Sequence, residues 1–170
     1  MNFIIGNIIM FIACIIMTIA GLPKKKSTCL ILQNTQILLA SIGNIILGSY
    51  PGCIINLLSI IRNWLSQKSK LTLPLKIILS IFVVVLSLYF NNIGLLVIFP
   101  LLSFLSFIFF LNETNDITFK ILVIISCLFW VIHDFSIQAY VAGIFDIITI
   151  ITNVIGIYKI RKRYEKKSVS

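Results

Sequence analysis

Residues 2–22 read NFIIGNIIMFIACIIMTIAGL, an apolar stretch without a charged side chain. As a helix rising 1.5 Å per residue, a stretch of this length crosses the roughly 30 Å hydrocarbon core of a bilayer. Pro23 and the triplet Lys24-Lys25-Lys26 follow directly, a pattern typical of a membrane helix that ends at the cytoplasmic face. A signal peptide would carry basic residues before its apolar core, and none stand here. We therefore interpret the stretch as a retained transmembrane helix.

The whole chain has the composition of a membrane protein. Of its 170 residues, 59% are hydrophobic and 11% are charged, and the mean hydropathy is +1.11. A water-facing exterior needs far more polar side chains, so a soluble fold is excluded. The net charge of +9 is spread over short basic blocks between apolar runs, which favours contact with a lipid bilayer and argues against nucleic acid.

Seven apolar runs predict seven transmembrane helices, at residues 2–22, 28–48, 51–66, 74–90, 93–111, 118–135 and 138–158. Pro51 and Pro74 begin the third and fourth helices, and Pro100 should kink the fifth. With seven spans and the N-terminus outside, all 14 Lys and Arg residues face the cytoplasm, Arg62 by extending its side chain to that side. Six spans would place the basic C-terminal tail opposite the lysine triplet.

The two halves of the chain align without gaps at an offset of 90 positions. Tyr50 then falls on Tyr140, and Asn56 falls on Asp146. This predicts an all-α membrane protein in which two parallel three-helix repeats are joined by a linker helix, a 3+1+3 layout. The predicted units are a first triple-helix unit at 1–66, a linker with the fourth helix at 67–92, a second triple-helix unit at 93–158 and a basic cytoplasmic tail at 159–170.

Small and polar side chains recur with one spacing on the third and seventh helices. They are Ser49, Gly52, Asn56, Ser59, Asn63 and Ser66 on the third and Ala139, Ala142, Asp146, Thr149, Asn153 and Gly156 on the seventh. This spacing puts each set on one helix face, where helix packing alone would explain the small members. Asn56 and Asp146 lie about 12 Å inside their helices, where a carboxylate marks a ligand site or pathway. The predicted substrate-binding residues are Asn56, Asp146, Asn63, Asn153, Ser59 and Thr149.

The sixth helix ends in His133-Asp134, and the matching residues of the second helix are Gly43-Asn44. In one interpretation, His133 and Asp134 are polar because the end of the helix contacts water. In the other, Asn44, His133 and Asp134 form a gate or a protonation site, because histidine titrates near neutral pH. The chain has one histidine, no nucleophile motif and no spacing typical of metal ligands, so we expect no catalytic residue, no metal and no cofactor.

The segment from Leu39 to Asn63 contains GSYPGCIIN at residues 48–56 and IIRN at residues 60–63. This segment, and the second-half segment from Phe129 to Tyr158, resemble the YgjV-type bacterial inner-membrane proteins, which implies a location in the inner membrane. That family is similar in layout to the SWEET and PQ-loop transporters, in which an asparagine on the third and on the seventh helix faces the substrate.

By this resemblance the two substrate-facing positions fall on Asn56 and Asp146. The chain departs from the pattern in two ways. It has no Pro-Gln motif, and the position equivalent to Pro100 in the first half is Met10 and not a proline. A sugar substrate is therefore not implied.

Two functions follow as hypotheses. The first is a small-solute transporter or facilitator that works by alternating access between its triple-helix units, with or without assembly into a homo-oligomer. The second is a non-transporting structural, assembly or immunity membrane protein with a packed, polar-striped core. A polar cavity between the units favours the first hypothesis, and a dry bundle favours the second.

Overall fold

The computed structural model describes residues 2–20, 26–111 and 115–168, with the side chains of all but residues 2, 26 and 163–168. Within these ranges the chain forms seven α-helices, one 3-10 helix and no strand, so the predicted number of helices is confirmed there. Lys24 and Lys25 of the basic triplet lie outside the described residues. The helices are α1 (Asn2–Ala20), α2 (Lys26–Ile46), α3 (Tyr50–Gln67), α4 (Leu73–Tyr89), α5 (Ile98–Phe110), α6 (Asp116–Ser136) and α7 (Tyr140–Ser168), with the 3-10 helix Gly94–Val97 before α5.

Six of the helices pack as a closed ring. Helix α1 contacts α2, α2 contacts α3, α3 contacts α5, α5 contacts α6, α6 contacts α7, and α7 returns to α1. Helix α4 lies outside the ring and packs on both α3 and α5. An apolar cluster fills this junction, with Leu58 from α3, Val83 from α4 and Phe104 from α5 among its buried members.

The turns before α3 and before α7 have the same hydrogen-bonded geometry. The Ser49 amide donates to the Asn44 carbonyl at 2.8 Å, and the Ala139 amide donates to the Asp134 carbonyl at 2.8 Å. Gly48 and Gln138 precede these donors with positive φ angles of 81° and 62°. This is the Schellman arrangement that ends a helix with one left-handed residue. Glycine adopts that conformation freely, whereas Gln138 must be held in it by its surroundings.

The outer surface of the bundle is apolar on every helix. Ile4, Ile78 and Leu128, for example, are 64%, 60% and 52% exposed, whereas many polar side chains face inward. Among the described residues, four helical segments are long and apolar enough to cross a membrane, and two apolar helices are shorter. The four are Phe3–Ala20, Ser27–Ile46, Asp116–Ser136 and Tyr140–Lys162, and the shorter two are Leu73–Tyr89 and Gly94–Phe110. An apolar exterior around a polar interior is the arrangement expected in lipid.

The fifth apolar run differs from the sequence prediction. It divides into the 3-10 helix Gly94–Val97 and α5, and Pro100 lies in the first turn of α5. Proline has no amide hydrogen, so the carbonyl four residues earlier receives no α-helical bond from it. The fifth run thus changes from 3-10 helix to α-helix just before Pro100, and the kink stays a prediction.

The described part of the basic tail is helical. Residues 159–168 continue α7, which runs from Tyr140 to Ser168 over 29 residues. The tail contains no proline or glycine between Lys159 and Ser168, and lysine, arginine and glutamate are good helix formers. The boundary predicted at residue 159 is therefore not a boundary of secondary structure.

Candidate functional site

A cavity of about 70 Å³ lies at the centre of the ring. All six ring helices contribute to its wall, and α4 contributes no residue. The polar side chains that line it are Gln33, Gln36, Asn44, Asn56, Ser59, Arg62, Ser103, Ser126, Asp134 and Asp146. A volume of this size holds a few water molecules, and its polar groups provide the partners that such molecules need.

Asn56 and Asp146 both line this cavity, one from α3 and one from α7. Each lies six residues after the tyrosine that begins its helix, which is about 9 Å along the axis. Asn56 is buried, whereas Asp146 is partly accessible. Ser59, about one turn after Asn56 on α3, lines the same cavity.

The other three predicted binding residues lie outside the central cavity. The Asn63 side-chain amide donates to Asn34 Oδ1 on α2 at 2.9 Å. The Asn153 side chain donates to the Thr149 carbonyl within α7 at 2.9 Å. Thr149 and Asn153 line a second cavity of about 10 Å³ between α1, α2, α6 and α7. In the described part of the chain the Thr149 hydroxyl has no hydrogen-bond partner.

His133 connects the two halves of the chain. Its Nε2 lies 3.1 Å from the Ser49 hydroxyl, and its Nδ1 lies 2.8 Å from Asp134 Oδ1. An ionised carboxylate only accepts hydrogen bonds, so Nδ1 then carries the proton and Nε2 of a neutral ring accepts from Ser49. His133 and Ser49 are fully buried, and Asp134 reaches the central cavity. The third predicted gate residue, Asn44, also lines that cavity.

The hydroxyl of Ser49 is available for this contact because it does not cap α3. Ser49 is the N-cap residue, but its side chain makes no capping hydrogen bond. Pro51 in the first turn has no amide hydrogen to satisfy. The spacing of small and polar residues predicts Ser49 on the polar stripe but gives it no partner, since His133 is 84 residues away along the chain.

The prediction that Arg62 extends to the surface is wrong. Its side chain is 4% exposed and lines the central cavity. The guanidinium lies over the rings of Phe107 and Phe104, at 4.7 and 5.0 Å from their centroids. A sequence signal was present, since Arg62 follows Ser59 by three residues and precedes Ser66 by four, which places it on the polar stripe.

An apolar exterior, four segments able to cross a bilayer and a polar interior define this molecule as a helical membrane protein. A family model described as Imp-YgjV, bacterial inner membrane protein, matches residues 4–164. The chain therefore belongs to this family of bacterial inner membrane proteins. Comparison with curated proteins and comparison with solved structures gave no match.

Proposed function

We propose that this protein carries a small solute across the inner membrane by alternating access, with one triple-helix unit rocking against the other around a central site. The observation that supports this proposal is the cavity, which is lined by residues of α1, α2 and α3 and of α5, α6 and α7, with polar side chains from all of these helices except α1. A site between two units can open to either side of the membrane when the units tilt.

Internal duplication in a SWEET-like 3+1+3 layout is part of the proposal, and two structural correspondences support it. The hydrogen bonds of the turn before α3 recur before α7 at an offset of 90 residues. At the same offset, α1 corresponds to α5 and α3 corresponds to α7. The contact between α1 and α7 therefore has a counterpart in the contact between α5 and α3, and both contacts are present. Helix α4 would then be the linker that lets the two units run parallel.

In this mechanism Asp146 and Asn56 hold the solute from opposite units. Asp146 would bind a cationic or hydroxyl-rich group or carry a coupling proton, a role that the amide of Asn56 cannot share. His133, Asp134 and Asn44 would form the gate at one end of the cavity. The hydrogen bond between Ser49 and His133 supports this assignment, because it joins the units there and must break when they separate.

We expect the C-terminus to lie in the cytoplasm and the N-terminus outside. The reason is that seven spans put all 14 Lys and Arg residues on one side or inside the bundle. After Ser170, a fused reporter that is active only in the cytoplasm should give a signal, and a reporter that is active only outside it should give none. An extracytoplasmic reading from this fusion would contradict the seven-span topology.

Neutralising Asp146 tests the function. Purified protein screened by thermal shift against a metabolite library should gain stability with at least one solute, and Asp146→Asn should lose that response while remaining folded. The substitution keeps the shape of the side chain and removes its charge. Uptake of the responding solute by reconstituted vesicles, measured across a range of pH, should fall with the same variant.

Asp116→Asn is the matched control, because Asp116 lies in the first turn of α6 and does not line the cavity. It should respond to the solute as the unmodified protein does. A protein that responds to no solute, or an Asp146→Asn variant with unchanged uptake and unchanged pH dependence, would contradict the transport proposal. Either result would favour the non-transporting structural, assembly or immunity role. Neither function requires an enzyme activity.

A further inference from the structure

Arg62 is a buried cation whose hydrogen-bond partners are neutral. Its Nε and Nη2 donate to Asn63 Oδ1 at 3.1 and 2.9 Å, and its Nη1 donates to the Phe104 carbonyl at 3.4 Å. In the part of the chain that the structure describes, no carboxylate forms an ion pair with it. Burial without a counter-charge is costly for a guanidinium, and stacking on aromatic rings compensates only in part.

The guanidinium retains hydrogen-bonding capacity toward the cavity that it lines. Arginine has five N–H groups, and three are used by Asn63 and Phe104. One N–H on Nη1 and one on Nη2 are left. Paired N–H groups of a guanidinium match the two oxygens of a carboxylate, so the two that remain are enough for one carboxylate.

The same cavity also contains carboxylates. Asp134 is hydrogen-bonded to His133, whereas Asp146 forms no ion pair within the described residues. Arg62 follows Asn56, the counterpart of Asp146, by six residues on α3, or about 9 Å along the axis. The cavity thus has a cation on one part of its wall and a carboxylate on another, and the two do not neutralise each other by direct contact.

These charges distinguish the classes of solute that the cavity could hold. Asp146 opposes a simple anion, and Arg62 opposes a simple cation. A neutral solute would leave both charges without a counter-charge. A solute with one positive and one negative group satisfies both, and a volume of about 70 Å³ limits it to a few non-hydrogen atoms.

We infer that the transported solute is a small zwitterion with a carboxylate and an ammonium group, of which an amino acid is the simplest class. Its carboxylate binds Arg62, and its ammonium group faces Asp146. This inference rests on the proposed transport function and specifies the substrate of the same site.

Glycine and L-alanine are the probes for this inference. In a thermal-shift titration of the purified, unmodified protein, either should stabilise the fold in a saturable way. Acetate and methylamine, which each carry one of the two groups, and neutral glycerol should bind at least about tenfold more weakly, because each leaves a charge unpaired. Binding of radiolabelled glycine, measured by equilibrium dialysis, provides a readout independent of thermal stability.

Variants of Arg62 locate the carboxylate site. Arg62→Gln should reduce glycine affinity at least about tenfold. Arg62→Lys keeps the charge but lacks the paired N–H groups of the guanidinium, so its glycine affinity should lie between those of Arg62→Gln and the unmodified protein. Lys76→Gln is the matched control. Lys76 is also a buried cation, donating to the Phe109 carbonyl at 2.9 Å, but it does not line the cavity. Its loss should leave glycine affinity unchanged.

The outcomes separate this inference from the transport proposal. If a neutral or singly charged solute from the metabolite library binds in an Asp146-dependent way and glycine and alanine do not, the zwitterion assignment is wrong and transport stands. Equal affinity for glycine in Arg62→Gln and in the unmodified protein would also overturn the assignment. If no solute of any class binds, both proposals fail. The analogue series on the unmodified protein decides the question even where Arg62→Gln does not fold.

Discussion

Replacing His133 with alanine should lower the free energy of unfolding by about 3 kcal/mol. Two buried groups lose their partner at once: the Ser49 hydroxyl at 3.1 Å and the Asp134 carboxylate at 2.8 Å. Leaving a buried polar group without its hydrogen-bond partner costs about 1–3 kcal/mol, and more where that group is charged. The cost for the Asp134 carboxylate stays moderate because it reaches the central cavity, where water can solvate it in part. Equilibrium unfolding in mixed micelles would measure the change.

The double variant Ser49→Ala/His133→Ala tests whether the loss comes from this hydrogen bond. Ser49→Ala alone should cost about 1–3 kcal/mol, and the two changes together should cost less than their sum. Ser136→Ala is the control. Its hydroxyl donates to the Ile132 carbonyl within α6 at an exposed position, so the effect should stay within about 0.5 kcal/mol. A His133→Ala variant as stable as the unmodified protein would mean that the contact between Ser49 and His133 does not form.

Replacing Gly52 with alanine should destabilise the protein by about 1–3 kcal/mol, although alanine is the better helix former. A Cβ atom at this position would lie 2.7 Å from the Ser49 hydroxyl oxygen and 3.1 Å from the side-chain nitrogen of Asn44. Both neighbours are buried, and Ser49 is held by His133. Neither can move aside without breaking a contact, so α3 must shift away from α2. The same unfolding measurement applies.

Gly156 is a matched control on α7. There an added Cβ would lie 3.0 Å from the Cε atom of Lys120, at the far end of a long side chain. Gly156→Ala should therefore cost less than Gly52→Ala and change stability by no more than about 1 kcal/mol. Adding Ser49→Ala to Gly52→Ala should recover part of the loss, because the closest clashing atom is removed. If Gly52→Ala is as stable as Gly156→Ala, the close packing between α2 and α3 is not present.

The helices could be predicted from sequence because each has a strong local cause. Long apolar runs require helical spans, and Pro51 and Pro74 lie in the first turns of α3 and α4 as expected. The effect of Pro100 was not predictable in detail. A proline inside an apolar run marks a kink or break in a helix, but it does not specify the change from 3-10 to α-helix that precedes Pro100.

The candidate site was predictable in part. The stripes on α3 and α7 identified Asn56, Ser59 and Asp146, because inward-facing residues must recur every three to four positions. Arg62 lies on the same stripe, but the rule that basic residues mark the cytoplasmic side treats every cation alike. Nothing local distinguishes an arginine inside the bundle from one at its surface. The pairing of Ser49 with His133 depends on how distant helices meet, which no local pattern contains.

The contact between α1 and α7 joins the first described helix to the last. During biosynthesis this contact cannot form until α7 has entered the membrane, after every other helix has been made. Until then the inward-facing side chains of the earlier helices, Gln33 and Asn44 among them, have no α7 to shield them from lipid. Exposed polar groups are costly in hydrocarbon. The polar interior is thus completed only by the last helix, and a chain that stops before α7 should be a substrate for membrane quality control rather than a smaller folded protein.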